Sequence, residues 1–422
     1  MSTDAPQNHF KLRVLIVGAG PCGLATAISV TLAGHSATVF EATDGPQPFG
    51  AGILSSPNGT RLLSRWGLNK ILGSMRITPK ILRVLDLNGD LIAEKKQFDT
   101  DVMRTCGSPL CTYHRADLQA GLLRRALEMG VEVHFSSKVS NVNIHEHSVK
   151  LQKGDSHCGD LVVIADGTWS TLRSKVLGRI IQPRMTDNVA YRVTIDLTKI
   201  DGQEVSEPMK SAQLHIWRGT DAHVTGYHVR DGSLFTLSIV MADDFTSETS
   251  SMHAIIEELK TRLCESDKIL AALLKAVQRV NKWRLVEVSG LSCLDLPKGF
   301  VLAGDTYHTL RPSLSQGFNL GLEDAATLGS LLGHVKAVEQ IPGAIAMYER
   351  LRSRRVQQVL HATQRYESGG LSTEIEPRTP KTPENSNVSA MNEDIGYVAA
   401  QNDIWAYDAY EAAETAYYDD PY

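Results

Sequence analysis

The chain has 422 residues, 42% apolar and 22% charged, with a formal net charge of −5. That balance is ordinary for a globular protein of two or three domains and argues against nucleic acid or an anionic membrane as the main partner. Cysteines stand at 22, 106, 111, 158, 264 and 293 with no C-x-x-C pair, which points to reduced thiols in a cytoplasmic protein and to no structural metal.

The opening MSTDAPQNHF is polar and lacks a targeting core. No apolar run is long enough to span a bilayer, so no transmembrane segment is expected. Residues 12–17 form a β-branched run that predicts a buried strand. Residues 21–33 predict a helix and 37–41 a second strand. This is a βαβ unit of a doubly wound sheet. A helix is expected over 115–129, with strands over 131–135 and 161–165. From 186 to 290 the pattern changes to strands at 189–197, 213–217, 223–229 and 234–241, read as an antiparallel sheet. Met252, Ile255, Ile256, Leu259 and Leu263 then follow at helical spacing. Residues 301–303 return to the buried-strand style of the first region.

The fold class predicted is therefore α/β, a Rossmann-like nucleotide-binding domain interrupted by a sheet-rich insertion. Its expected parts are 11–185, the inserted 186–290, the returning 291–370 with a long C-terminal helix, and 371–422 as linker and tail. The linker expectation rests on the proline-rich IEPRTPKTPENSN. The stretch 401–422 holds six acids, no Lys or Arg, five tyrosines and Trp405.

GAGPCG at 18–23 matches G-x-G-x-x-G between strand and helix. Gly18 permits the tight turn, Gly20 lets a pyrophosphate approach the backbone, and Gly23 allows close helix–sheet packing. Glu41, eighteen residues after Gly23, ends the next strand, the place for an acid that binds a ribose hydroxyl. This half-site fits NAD and the ADP part of FAD equally well.

Four further stretches carry a resemblance: GAGILSSPNGTRLLSRWGL at 50–68, YHRADLQAGL at 113–122, LVVIADGTWSTLRSKV at 161–176, and VLAGDTYHTLRPSLSQGFNLGLEDA at 301–325. Together with the nucleotide loop they resemble the FAD-dependent aromatic hydroxylases of the p-hydroxybenzoate hydroxylase fold. The chain is most similar to the salicylate hydroxylase-like branch and its fungal secondary-metabolite relatives.

The resemblance implies FAD as cofactor, NAD(P)H and O₂ as co-substrates, and oxygen insertion through a flavin C4a-hydroperoxide. It places the backbone at Ala51 and Gly52 near FAD, Arg115 in contact with it, and Asp166 in a segment serving FAD and NAD(P)H. It puts Asp305 on the ribityl chain and the backbone of Gly317, Phe318 and Asn319 at the flavin pyrimidine. Thr306, Tyr307, Ser315 and Phe318 depart from the family's usual small residues.

For the substrate side, the resemblance singles out Arg192 in NVAYRVTI and Tyr227 in HVTGYHV. Arg192 would hold a carboxylate or phenolate and Tyr227 would orient a ring hydroxyl. The plainer reading is a cross-strand arginine and a core aromatic. The implied substrate is a small aromatic, or a larger terpenoid-derived molecule that is epoxidised. A flavin dehydrogenase, reductase or halogenase on the same scaffold, and a silent binding subunit, are the rival readings. The tail NDIWAYDAYEA at 402–412 is either packed on the body, as the resemblance implies, or a free acidic tail.

Overall fold

The computed structural model describes residues 10–47, 50–200, 209, 211–220, 222–243, 251–288, 291, 296–368, 396–399 and 401–422. The expected proline-rich linker lies outside these residues.

Five short strands form a parallel sheet in the order Phe300–Leu302, Leu161–Ile164, Arg13–Val17, Ser36–Phe40 and Glu132–His134. The inner strands are continuous apolar runs because both faces are covered, one by helices and the other in part by the small sheet of Val139–Asn143, Ser148–Leu151 and Ser156–Cys158. Pro21–Leu32, Arg115–Glu128 and Gly317–Leu332 supply much of that cover. Phe300–Leu302 pairs with Leu161–Ile164, so the sheet closes only after the intervening segment has been crossed. The ends of Arg13–Val17 and Phe300–Leu302 therefore deliver the Gly18 and Gly304 loops to one edge, the usual ligand edge of such a sheet.

The second sheet has seven strands, ordered Val280–Glu287, Arg184–Asp196, Leu234–Ala242, Ala222–Val229, Gln213–Arg218, Ile81–Asp86 and Leu91–Lys96. It differs from the antiparallel expectation in one ladder, because Gln213–Arg218 runs parallel to Ile81–Asp86. The last two strands come from the stretch before residue 186, so the sheet is built from more than the inserted segment. Strand alternation divides its faces. Tyr191, Val193, Leu237 and Phe235 pack beneath Ile256, Leu259, Leu270 and Leu273 of the helices Met252–Arg262 and Lys268–Lys275. Asp267 caps the second of these helices and also accepts from the Trp217 indole at 3.0 Å.

The helix Ile341–Glu367 begins with a proline in its first turn and runs along the parallel-sheet body. The C-terminal helices Asn402–Ala406 and Ala409–Asp419 are docked, with Trp405, Ala409 and Ala413 buried. The tail thus packs on the body. No helix among the described residues is long and apolar enough to cross a membrane. The described cysteines 22, 106, 111, 158 and 264 are free thiols.

Candidate active site

The nucleotide loop is shaped by its glycines. Gly18 has φ of +104°, and a Cβ there would lie 2.5 Å from the Ala165 carbonyl oxygen. A Cβ on Gly23 would lie 2.0 Å from the Gly18 oxygen, so that residue lets helix and strand touch. Gly20 differs: an added Cβ meets no other protein atom within 4 Å, and the residue lines the cavity that also takes in Gly304 and Asp305. Its backbone is left bare toward the cavity, which is the approach a pyrophosphate cradle requires. The Glu41 carboxylate accepts from the Ala19 amide at 2.8 Å and from the Thr43 amide and hydroxyl at 2.8 and 2.9 Å. It steadies the loop and still has lone-pair capacity to accept a further hydrogen bond.

The second clamp is the turn Gly304–Thr306. Gly304 sits at φ +62° against Cys22, bringing the two loops together. Its amide donates to Asp324 at 2.8 Å; the same carboxylate pairs with His308 at 2.6 Å and Arg352 at 2.6 Å. Burial alone would raise the Asp324 pKa, but His308 and Arg352 prevail and hold it at about 2. Neighbouring Glu323 takes Arg352, Arg355 and Asn58. The Glu-Asp-Ala stretch is therefore the foundation of the turn.

Asp305 is left facing the cavity. The protein crowding it pushes its carboxyl above the ordinary range, while His308 and Arg115 pull it back. Thr306, fully buried, accepts from the Gly167 amide at 2.8 Å and donates to Asp166 at 3.3 Å. That departure from a small residue ties the Asp166–Gly167 segment to the Asp305 turn. Arg173 reinforces the tie by donating to the Thr306 and Thr168 carbonyls. Ser315 is a non-glycine residue at φ +55°, which explains the preference for glycine there and makes its side chain costly.

The cavity, about 310 Å³, runs from the Gly20 loop past Asp305 and Gly317 to the large sheet. Arg192 and Tyr227 enter it from the sheet face opposite Tyr191, whose hydroxyl bonds Glu258 on the helix side at 2.6 Å. Burial pushes the Tyr227 pKa up and the adjacent Arg192 opposes this, so the phenol stays protonated. Gly52 packs against Tyr227, where a Cβ would lie 2.5 Å from its ring, and donates to Thr236 at 3.1 Å.

The structure thus brings Gly20, Gly52, Arg115, Asp305, Gly317, Phe318, Arg192 and Tyr227 around one cavity. Gly18, Gly23 and Glu41 shape the loop behind it. The Ala51 carbonyl accepts the Arg115 amide at 3.0 Å, and Asp166 stands behind Gly167. The Asn319 side chain turns inward to Ser55, Ser56, Leu54 and Ser315, and the residue is fully buried and does not line the cavity. His215 and Trp217 lie in the sheet's helix-side core. His223 and His228 have separate partners, and no metal-binding cluster exists among the described residues. Sequence reasoning missed Leu310 and Arg311 on the cavity wall and the structural use of Thr306.

The residues present fit FAD on this geometry: two loops at one sheet edge, an open glycine cradle, and a helix start beside an acid. The sequence profile of the FAD binding domain family matches residues 11–363. The FAD-dependent monooxygenase OpS4 of Beauveria bassiana is 34% identical over 355 residues, 82% of this chain and 83% of that protein. The 3-hydroxybenzoate 6-hydroxylase of Klebsiella oxytoca is 25% identical, over 86% of this chain and 91% of its own. A salicylate hydroxylase structure, a substrate complex, superposes with a TM-score of 0.74 at 22% identity, covering 96% of this chain and 98% of that one. On the family match over most of its length, the chain belongs to the FAD-dependent monooxygenases of the aromatic-hydroxylase type.

Proposed function

We propose that the protein is an NAD(P)H-using monooxygenase that hydroxylates a small phenolic aromatic held by Arg192. The observation that carries this reading is the Arg192 guanidinium. It lines the cavity beside Tyr227 and makes no ion pair among the described residues. A cation without a carboxylate in a partly apolar cavity is a site for an anionic oxygen, and the planar fork suits phenolate and carboxylate alike. Relatives named for 3-hydroxybenzoate and salicylate act on rings bearing those groups.

In this reading Gly20 and the start of the helix Pro21–Leu32 receive the pyrophosphate. Glu41 holds the adenosine ribose, and Asp305 accepts from the ribityl chain. Arg115, Gly52 and the backbone of Gly317 and Phe318 border the ring. The positive end of the helix Gly317–Leu332 favours negative charge there. FAD, when bound and reduced by the nicotinamide, supplies the oxygen-transfer chemistry. The chain's own residues orient and dry the site. Arg192 fixes the substrate oxygen, and Tyr227 donates its O–H to that oxygen. Phe318, Pro312 and Leu310 keep water from the face of the ring. Asp166 and Gly167 border the nicotinamide's approach.

The test is NAD(P)H oxidation by the FAD-loaded protein with hydroxybenzoates under ¹⁸O₂. One labelled oxygen per product molecule is expected. Arg192→Met should raise KM roughly 10- to 100-fold, the size of a charge-assisted hydrogen bond, with FAD content unchanged. A product without label, a requirement for halide, or an unchanged KM overturns the reading.

A further inference from the structure

Gln316 immediately precedes the helix Gly317–Leu332 and is 1% exposed. Its amide lies between two layers of the protein. On one side its Oε1 accepts from Asn58 Nδ2 at 3.2 Å, and Asn58 Nδ2 also donates to Glu323 at 2.8 Å. On the other side its Nε2 donates to Gln401 Oε1 at 2.7 Å, a residue of the C-terminal segment that is 0% exposed. Gln401 Oε1 also accepts from the Trp405 indole N–H at 3.1 Å.

The direction of this chain is fixed at both ends. An indole nitrogen can only donate, so the Gln401 oxygen must face Trp405. Gln316 must then present its NH₂ to Gln401 and its oxygen to Asn58. At the far end the Glu323 carboxylate can only accept, which sets Asn58 the same way. One turn before Gln401, the buried Tyr397 hydroxyl stands beside Ser315 and Gln401. Two residues of the C-terminal segment thus bear on the Ser315–Gln316 turn.

We propose that Gln401 is a positioning residue of the flavin site. It orients Gln316 and so fixes where the helix Gly317–Leu332 begins. The C-terminal segment is then a working part of the site, reached from the far end of the chain. The inference rests on the reading above in which this helix start borders the flavin ring.

The experiment uses the full-length protein and FAD as probe, with dissociation constant, visible circular dichroism and midpoint potential as readouts. Gln401→Leu removes the acceptor. Gln316 Nε2 then keeps only Ser56 Oγ at 3.1 Å and the Leu314 carbonyl at 3.3 Å, and FAD binding should weaken about 10-fold, the scale of one hydrogen bond lost. The variant should also change the flavin dichroism and lower the potential, because a displaced helix start stabilises the reduced flavin less. Gln401→Glu keeps an acceptor between the two donors and should restore the wild-type dichroism. Trp405→Phe removes one of the two donors to Gln401 Oε1 but keeps the Gln401–Gln316 bond, whose direction the Glu323 end still sets; it should lower the melting temperature and leave the potential alone. Wild-type affinity and potential in Gln401→Leu overturn the proposal, as does Trp405→Phe reproducing every change. Failure of Gln401→Glu to restore the dichroism also overturns it, and this arm decides the matter if the leucine variant does not fold. Gly20→Val separates the underlying reading. If it retains FAD, the site assignment itself is wrong. If it loses FAD while Gln401→Leu changes nothing, only the present inference falls.

Discussion

Beneath the parallel sheet, Glu323, Asp324, Arg352 and Arg355 are buried as ions, each facing an opposite charge. In the seven-stranded sheet, His215 and His228 are buried as neutral rings. His228 Nδ1 accepts from the Gln213 amide at 3.4 Å and its Nε2 donates to the Met209 carbonyl at 2.9 Å, a pattern that only the uncharged ring satisfies. Burial, aided by Arg83 and His228, pushes the His215 pKa down to about 3; burial also lowers His228. One region tolerates charge because a polar cofactor must be held at its edge. The other buries its histidines neutral in the core beneath two helices and keeps Lys282, Asp243 and Glu258 paired with one another at that core's margin.

The contrast is broken most severely at Arg352. Arg352→Met leaves Glu323 and Asp324 partly uncompensated, and removing one partner of a buried pair costs about 3–5 kcal/mol. Urea unfolding should show that loss. A change below about 1 kcal/mol would mean that the ions are not the foundation described here.

Acid separates the two regions by pH window. A histidine whose folded pKa is depressed loses stability as pH falls below its unfolded value of about 6.5. For His215 this continues down to about 3, at about 1.4 kcal/mol per pH unit. Asp324 holds its contribution until pH drops below its unfolded value of about 3.9 and loses it toward about 2. Hydrogen exchange between pH 6.5 and 4.5 should therefore show the large sheet opening first. Uniform exchange across both sheets would refute the distinction.

The smallest effect concerns Ser315. Ser315→Gly removes a Cβ from a left-handed position but adds freedom to the unfolded chain, so the net gain should be below about 1 kcal/mol. A clear loss of melting temperature would show that the Ser315 side chain matters more than its strain.

Much of the nucleotide half was legible because its signals are local. Gly18, Gly20, Gly23 and Glu41 sit within one βαβ unit, and the run from Gly304 to Ala325 carries its own pattern. The strands Ile81–Asp86 and Leu91–Lys96 were not legible. They join the large sheet through a partner more than a hundred residues away, Gln213–Arg218, and no short window records such a pairing. Thr306 and Gln401 were hidden for the same reason. Each is an ordinary polar residue whose meaning lies in a distant amide or carboxylate. Arg192 and Tyr227 were found by resemblance, since alternation alone places Tyr191 and Arg192 on opposite faces without saying which face is the cavity.

The pairing of Phe300–Leu302 with Leu161–Ile164 also sets an order of assembly. The hairpins linking Gln213–Arg218, Ala222–Val229 and Leu234–Ala242 close over short turns, so loop-closure entropy favours their early formation. The edge strand of the nucleotide sheet waits until the intervening segment has been made, and Gln401 arrives later still. FAD capture is thus expected to be a late event in folding, with the large sheet formed before the nucleotide edge is ready to receive the cofactor.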